Sequence, residues 1–169
     1  IEQRLAELGE IQPHGPEDVG VFNAALRILG NPDDASDVTQ SAFLKAFENL
    51  DRFDPAYRFF SWIYRIAVNE SINYRKRTFR TQSLEERDIP DHRGPHSSAE
   101  RGSLSREIRD SLMQLDDIYR VVVVLRHYSE FSYREIGEIL EIPEKTVKSR
   151  LFTARRRMRD VLVARGVEL

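Results

Sequence analysis

The segment from Ser132 to Arg165 constrains the fold most, because it predicts two helices joined by a very short turn. Ser132, with Glu135 three residues later, has the pattern of a capping box, which marks a helix start. Pro143 ends that helix, and a second helix with apolar side chains at helical spacing follows from Glu144. The pattern is typical of a helix-turn-helix, whose second helix fits the major groove of DNA. An ordinary helical hairpin with a solvated basic face is the alternative.

The composition is typical of a folded protein without disulfide bonds. The chain has 169 residues, of which 40% are hydrophobic and 32% charged, and it contains no cysteine. This excludes disulfides, thiol catalysis and cysteine-ligated zinc, and it fits a reducing compartment. The sequence shows neither an apolar run long enough to cross a membrane nor a signal-peptide pattern, so we expect a cytoplasmic protein.

The net charge of −2 conceals a strong asymmetry along the chain. Residues 1–54 hold eleven acidic and four basic residues, whereas residues 55–80 hold six basic residues and one acidic residue. Residues 142–165 hold eight basic and two acidic residues. The two basic segments predict two separate contacts with a nucleic acid, and the acidic N-terminal third suits a basic protein surface.

A Pro-, Gly- and Ser-rich stretch from 81 to 103 predicts a flexible linker between two domains, 1–80 and 104–169. Both domains are expected to be all-α, because sustained strand alternation is missing from both. The run Val121 to Leu125 has strand-like composition, but it continues a helical stripe between two predicted helices. In the first domain, Asn31-Pro32 predicts a capped helix start. That helix is expected to bury several apolar residues, Phe47 among them.

The stretch from Phe59 to Arg77 combines aromatic side chains at its start with cations at its end. Such a pairing suits unpaired bases, which stack on the rings while the cations hold the backbone. Trp62 and its neighbours at helical spacing are better explained as core. Phe60, Tyr64 and Asn69 fall off that stripe, so a nucleic-acid role for them stays open.

The stretches DDASDVTQSAFLKAFENLDRF and FFSWIYRIAVN resemble region 2 of bacterial sigma factors of the extracytoplasmic-function (ECF) type. The stretch LMQLDDIYRVVVVLRHYSEFSYREIGEILEIPEKTVKSRLFTARRRMRDVL resembles region 4 of the same family. Together the two resemblances cover most of residues 22–80 and 104–163. One departure is that Pro13, Gly15, Pro16 and Gly20 interrupt a zone where relatives have a continuous apolar helix.

The resemblance implies a protein that binds core RNA polymerase and recognises promoter DNA, both as duplex and as single strand. The polymerase partners would be the β′ coiled coil and the β flap, and an anti-sigma factor is a further implied partner. The β′ coiled coil would be gripped by the helix from Asp33 to Phe47, through Asp33, Asp37, Gln40 and Lys45. Without the resemblance, these residues would be interpreted as a solvated helix face.

The resemblance also assigns the DNA contacts. The loop from Arg52 to Phe60 would receive a base flipped from the −10 element, with Phe53 and Asn69 as pocket residues. Further −10 contacts would come from Phe60, Tyr64, Arg65, Asn73, Arg75, Lys76 and Arg77. The −35 element would be read by Glu144, Lys145, Thr146, Lys148, Ser149, Arg150, Phe152, Arg155 and Arg156.

Nothing in the sequence predicts catalysis, a cofactor or a metal site. His92 and His96 are four residues apart, but Gly94-Pro95 between them forbids a helix that would bring them to one face. Two other classes of protein stay open. A two-domain helix-turn-helix regulator would bind duplex DNA without polymerase, and a nucleic-acid-processing enzyme would need a metal or nucleophile cluster.

Overall fold

The computed structural model describes residues 16–56, 58–82 and 102–167. Within these ranges the chain forms seven α-helices and one 3-10 turn, and no strand. The all-α prediction is therefore confirmed. The predicted linker from 81 to 103 falls almost entirely outside the described residues, and the predicted domain boundaries stay predictions.

The N-terminal domain consists of three helices: α1 (Pro16–Leu29), α2 (Pro32–Glu48) and α3 (Phe59–Gln82). Asn31 caps α2 as predicted, since its side-chain oxygen accepts hydrogen bonds from the backbone nitrogens of Asp33, 2.8 Å away, and Asp34, 3.2 Å away. A 3-10 turn, Leu50–Arg52, leads into the loop before α3.

The expected interruption of α1 is only partly correct. The helix begins at Pro16, where proline is tolerated because its missing N–H would have no partner in the first turn. Gly20 lies inside the helix and has a packing role: a Cβ at this position would lie 2.7 Å from Oη of Tyr64. Pro13 and Gly15 lie outside the described residues.

The C-terminal domain consists of α4 (Gly102–Met113), α5 (Asp117–His127), α6 (Tyr133–Leu140) and α7 (Glu144–Ala164). The run Val121 to Leu125 is helical and fully buried in α5, as interpreted from its neighbours. The predicted capping box is present, because Ser132 and Glu135 bond each other's backbone N–H groups.

The turn between α6 and α7 is as short as the sequence predicts. Glu141 takes the left-handed conformation with φ of 55°, which ends α6 sharply. A Cβ on Gly137 would lie 2.8 Å from the carbonyl oxygen of Ile142, so the turn packs against a position that only glycine leaves open. The helix-turn-helix prediction is confirmed at the level of structure.

The two domains pack against each other, and one cluster of buried side chains runs through both. Val21, Ala24 and Ile28 of α1 belong to the same cluster as Leu112 of α4 and the buried run of α5. Gly30, with φ of +81°, ends α1 so close to the other domain that a Cβ would lie 2.7 Å from Cε of Met113. The domains therefore meet over apolar side chains, and their relative placement decides which surfaces are open.

Candidate nucleic-acid interface

The loop before α3 is held by an aromatic cluster. The Phe53 ring packs against Phe59, with centroids 5.6 Å apart, and against Trp62, with centroids 5.2 Å apart. Trp62 is partly buried and packs on the core, which supports its interpretation as a structural residue. Phe60 is 45% exposed at the start of α3, so its ring is open to a stacking partner.

The side chains predicted to hold the −10 strand divide into an open and a covered group. The open group consists of Asn69, Asn73, Lys76 and Arg77, which follow one side of α3, together with Phe60 at the start of the helix and the partly exposed Phe53 in the preceding loop. The covered group consists of Tyr64, Arg65 and Arg75, and it lies against the C-terminal domain.

Tyr64 is buried, with 7% of its surface exposed. Its ring packs edge to face with that of Phe131, with centroids 4.8 Å apart. Burial raises the pKa of the Tyr64 hydroxyl, and a hydrogen bond to Ser129 partly offsets this rise. The residues that contact Tyr64 lie far from it in the sequence: Phe131 precedes α6, and Gly20 belongs to α1. No local sequence signal links either residue to Tyr64.

The two covered cations have acidic partners in the other domain. Arg65 forms an ion pair with Glu141 at 3.1 Å and donates a hydrogen bond of 2.7 Å to the carbonyl oxygen of Glu138. Nε of Arg75 lies 2.7 Å from Oδ1 of Asp117, and the Arg75 guanidinium also lies over the ring of Phe79, 5.3 Å from its centroid. In this arrangement both cations are engaged with protein.

The second helix of the helix-turn-helix presents an open, cationic face. Its buried side consists of Val147, Leu151, Ala154 and Leu162. Of the residues predicted to read the −35 element, Thr146 and Arg150 are partly exposed, and the exposed ones are Glu144, Lys145, Lys148, Ser149, Phe152, Arg155 and Arg156. Phe152 is 70% exposed, the highest exposed fraction among the exposed large hydrophobic side chains of the described residues.

Two of the α7 cations predicted to read the −35 element have partners within the domain. Nζ of Lys148 forms an ion pair with Glu144 at 2.7 Å, and this carboxylate raises the pKa of Lys148. Arg155 lies 3.3 Å from the ring nitrogen Nε2 of His127. Burial and the nearby Arg155 and Arg126 lower the pKa of His127, so the neutral ring is favoured next to these guanidinium groups.

A continuous exposed stripe runs along α2. Its members recur at helical spacing, acidic at the start of the helix and apolar at the end: Asp33, Asp37, Gln40, Leu44 and Phe47. Leu44 is 59% exposed and Phe47 is 60% exposed, so the prediction that α2 buries Phe47 is wrong. Hydrophobic spacing alone cannot distinguish a core face from an apolar binding face.

Lys45, predicted beside this stripe, is turned toward α3. Its ammonium group forms an ion pair with Glu70 at 2.6 Å, and the other oxygen of Glu70 accepts a hydrogen bond of 3.2 Å from the hydroxyl of Ser41. Its side chain remains 47% exposed, so it borders the stripe without belonging to it.

The described ranges contain no group of three or more His, Asp or Glu side chains placed to hold a metal ion. His92 and His96 lie outside the described residues. No helix in the described part of the chain has the length and apolar character needed to cross a membrane.

Comparisons with known proteins agree with the arrangement of the two domains. The sigma-70 region 2 family model matches residues 20–81, and the sigma-70 region 4 family model matches residues 105–158. The chain is 34% identical over 155 residues to the ECF RNA polymerase sigma factor SigW of Bacillus subtilis, an alignment that covers 84% of this chain and 82% of SigW.

The chain belongs to the ECF sigma factors. Two solved structures are similar to this ECF sigma factor along nearly its whole length. One is the sigma factor RpoE in complex with the anti-sigma factor NepR from Bartonella quintana, with a TM-score of 0.72, 25% identity and 95% of each chain covered. The other is CnrH in complex with the cytosolic domain of CnrY, with a TM-score of 0.65, 27% identity, and 96% of this chain and 87% of CnrH covered.

Proposed function

We propose that this chain binds core RNA polymerase and directs it to promoters by recognising a −10 and a −35 element. The observation that carries the proposal is that each sigma-like domain has its own open surface for nucleic acid: the aromatic and cationic side of α3, and the cationic face of α7. The proposal assigns this protein no chemistry of its own, since the polymerase performs the synthesis. Its place of action is the cytoplasm, where promoter DNA lies.

We assign duplex recognition of the −35 element to α7. The N-terminal half of a recognition helix is the part that reaches base edges, so Lys145, Lys148 and Ser149 are the base-reading candidates. Arg155 and Arg156 lie two turns further along and suit phosphate contacts, which position the protein without reading sequence. The exposed Phe152 lies between these two groups and offers an apolar contact to a thymine methyl group.

We assign single-strand capture at the −10 element to the loop before α3 and to α3 itself. A flipped base needs a ring or an apolar wall and a polar group that reads its edge, and Phe53 with Asn69 supplies both types. Phe60 offers a further ring for stacking. Asn73, Lys76 and Arg77 extend the open side of α3 toward its end, where a strand backbone would be held.

We assign binding of the polymerase β′ coiled coil to the exposed stripe of α2. Leu44 and Phe47 extend the predicted contact set, because exposed apolar side chains rimmed by polar ones mark interaction surfaces. The β flap would bind the C-terminal domain. An anti-sigma factor is a further proposed partner, supported by the complex of the similar sigma factor RpoE with NepR.

Co-purification with core polymerase, followed by run-off transcription from a promoter library, tests the proposal. We expect the full chain to co-elute with core enzyme and to give discrete transcripts that core enzyme alone does not give. A helix-turn-helix regulator without a polymerase role would bind duplex promoters but would neither co-elute with core enzyme nor start transcripts. That result would overturn the proposal in favour of a regulator.

A further inference from the structure

Phe79 is an exposed aromatic side chain in the last turn of α3, and it belongs to neither the −10 set nor the polymerase set. It is 60% exposed, and it forms no ring-to-ring contact with another aromatic side chain in the described part of the chain. Exposure alone does not identify a binding residue, because single apolar side chains are common on protein surfaces. The charges that surround the ring decide what it can bind.

One face of the Phe79 ring is backed by a fixed cation. The guanidinium of Arg75 lies 5.3 Å from the ring centroid, which is within the range of a cation–π contact. Arg75 is also anchored to the C-terminal domain, because its Nε lies 2.7 Å from Oδ1 of Asp117. Its side chain is only 15% exposed, so a phosphate group has little access to it. The part of this cation–ring pair that solvent reaches is the phenylalanine ring.

The end of α3 is strongly cationic. Residues 75–80 contain four basic residues and no acidic residue. Lys76 lies three residues before Phe79, which makes the two side chains neighbours on the helix surface. Lys76 is exposed and forms no ion pair with another described residue. An exposed ring beside an open cation is the combination that binds single-stranded nucleic acid, since rings stack on bases and cations hold the backbone.

The position of the ring at the helix end favours a base over a phosphate. The carbonyl groups at the C-terminal end of a helix carry partial negative charge, which repels a phosphate and tolerates a neutral base. The neighbouring phosphates would lie further back along α3, toward Lys76 and Asn73, which are both exposed. Phe79 follows Asn69 by ten residues, about 15 Å along the helix axis. A base on Phe79 is therefore a different base from the one that Asn69 reads.

We propose that Phe79 is a further base-stacking residue of the −10 surface, which holds one unpaired base of a single DNA strand on its open face, and that Arg75 is a positioning residue that acts through this ring. The inference rests on the proposed function, because it extends the strand path on α3 to the end of the helix. It also changes the role of Arg75, which the family resemblance assigned to direct contact with the strand. Recognition at Phe79 is sequence-tolerant, since every base has a π-face.

The first experiment removes the ring and keeps an apolar side chain in its place. The full chain is titrated at low salt with a fluorescein-labelled oligothymidine and with a labelled strand of equal length built from abasic sites, which keeps the phosphates but lacks the bases. Phe79→Leu cannot stack on a base, whereas Phe79→Trp can, so the two variants are a matched pair at one exposed position. Fluorescence anisotropy gives the dissociation constant of each protein for each strand.

We expect Phe79→Leu to weaken binding of the thymidine strand at least about fivefold, the loss of one stacked base, and Phe79→Trp to bind it at least as tightly as the unsubstituted protein. All three proteins should bind the abasic strand alike, because no phosphate contact is lost. Equal affinities of Phe79→Leu and Phe79→Trp for the thymidine strand would overturn the proposal. A loss of the same size on the abasic strand would also overturn it, because the ring would then support the helix end and not a base.

The salt dependence of strand binding separates the ring from the cation beside it. Phe79→Leu should lower the affinity for the thymidine strand without changing the salt slope. Lys76→Ala should lower the magnitude of the slope by about 0.7, the value for one phosphate of a single strand. If every form of the protein binds the abasic strand as tightly as the thymidine strand, this end of α3 recognises charge alone, and the stacking role of Phe79 is overturned.

A double-mutant cycle tests whether Arg75 acts through the ring. Arg75→Gln removes the cation behind Phe79. It should weaken binding of the thymidine strand in the unsubstituted protein and have little further effect in Phe79→Leu, with the salt slope unchanged in both. If Arg75→Gln weakens binding equally in both backgrounds and lowers the magnitude of the salt slope, Arg75 contacts a phosphate directly and its positioning role is overturned.

The role of Phe79 and the proposed function can fail separately, because strand binding by the free chain needs no polymerase. If no form of the protein binds the thymidine strand at low salt, the stacking role of Phe79 is overturned, while co-elution with core polymerase still decides the proposed function. If the chain binds the strand through Phe79 but neither co-elutes with core enzyme nor starts transcripts, the proposed function fails and Phe79 remains a single-strand contact.

Discussion

The guanidinium of Arg120 donates a hydrogen bond of 2.8 Å to the carbonyl oxygen of Ile28, at the end of α1 in the other domain. The same group donates to the carbonyl oxygens of Leu112 at 3.1 Å and Leu115 at 2.8 Å, and also to that of Met113. One buried cation therefore satisfies the ends of two helices, where carbonyl groups have no intrahelical partner. Burial and the nearby Arg75 lower the pKa of Arg120 to about 10, so it stays protonated at neutral pH.

Replacing this cation should be costly. Arg120→Met keeps much of the volume but leaves four carbonyl groups without their donor, three of them in buried hydrogen bonds, and we expect the free energy of unfolding to fall by about 3 kcal/mol. Urea denaturation followed by circular dichroism measures the change. Arg134→Met on α6, whose side chain is 81% exposed, is the control and should change stability by less than about 0.5 kcal/mol. Equal urea midpoints for the two variants would contradict the structural role of Arg120.

The capping box predicts a pH dependence. Hydrogen bonds from the side chain and backbone of Ser132, with a further contribution from Arg58, lower the pKa of Glu135 below its ordinary 4.5. A carboxyl group whose folded pKa is depressed stabilises the fold above the ordinary value, and this contribution is lost as the pH falls through the folded pKa. The stability difference between the unsubstituted protein and Glu135→Gln should therefore be present at pH 7 and be lost in acid, as the pH falls through the lowered pKa of Glu135.

Unfolding free energies measured at several pH values check this. Glu138→Gln on the same helix removes one carboxylate without touching the capping box, so it serves as the control for a general charge effect. A difference between the unsubstituted protein and Glu135→Gln that persists undiminished into acid would show that the carboxylate form does not matter to the cap.

The exposed apolar end of α2 predicts a polymerase contact. Phe47→Ser should leave the free energy of unfolding within about 0.5 kcal/mol, because the ring is 60% exposed, yet weaken binding to core polymerase at least tenfold. Phe79→Ser is a matched control, since its ring is also 60% exposed but lies near the end of α3. Fluorescence anisotropy with labelled protein compares the two affinities for core enzyme. Equal affinities would remove the apolar end of α2 from the interface.

The parts of the fold that the sequence predicted correctly are specified by neighbouring residues. Asn31 caps α2, Ser132 and Glu135 begin α6, and Pro143 precedes α7, and each of these signals acts within one helical turn. The open cations of α7 were predictable for the same reason. A helix with one apolar side leaves its remaining faces to solvent.

The parts that the sequence did not predict depend on contacts between residues far apart in the chain. Phe47 follows the hydrophobic period of a core residue, and only the packing of the domain shows that its ring points outward. Tyr64 and Arg75 stay predicted DNA contacts, but in this structure Phe131 and Asp117 of the C-terminal domain cover or pair them, which no local pattern indicates. Domain packing of this kind depends on surface fit, which periodicity does not encode.

The α7 surface predicts two kinds of DNA mutant. Arg156→Ala should weaken binding to all duplexes alike and lower the magnitude of the salt slope by about 0.9, the value for one phosphate contact. Lys145→Ala, about three turns nearer the N-terminus, should instead change the ranking of sequences. Binding to a randomised duplex library at several salt concentrations separates the two effects. If Lys145→Ala leaves the ranking of DNA sequences unchanged, Lys145 contacts the DNA backbone and not the base edges.

The last prediction concerns Asn69, which is exposed on the open side of α3, about two turns beyond Trp62. Asn69→Ala should leave folding and polymerase binding near normal, since substitutions at exposed positions change stability by less than about 0.5 kcal/mol. Transcription from duplex promoters should fall, because the flipped base loses the amide that reads its edge. A template already mismatched over the −10 region should restore melting but not base discrimination.

The decisive measurement ranks transcription from promoters varied at each −10 position, for the unsubstituted protein and for Asn69→Ala. Asn73→Ala, one turn further along the same exposed side of α3, is the control: as a strand-holding residue it should lower transcription from all variants equally. We expect Asn69→Ala to flatten the ranking at one position and to leave the others in order. If the unsubstituted protein and Asn69→Ala rank the promoter variants identically, Asn69 is a structural residue, and another residue of the loop reads the base.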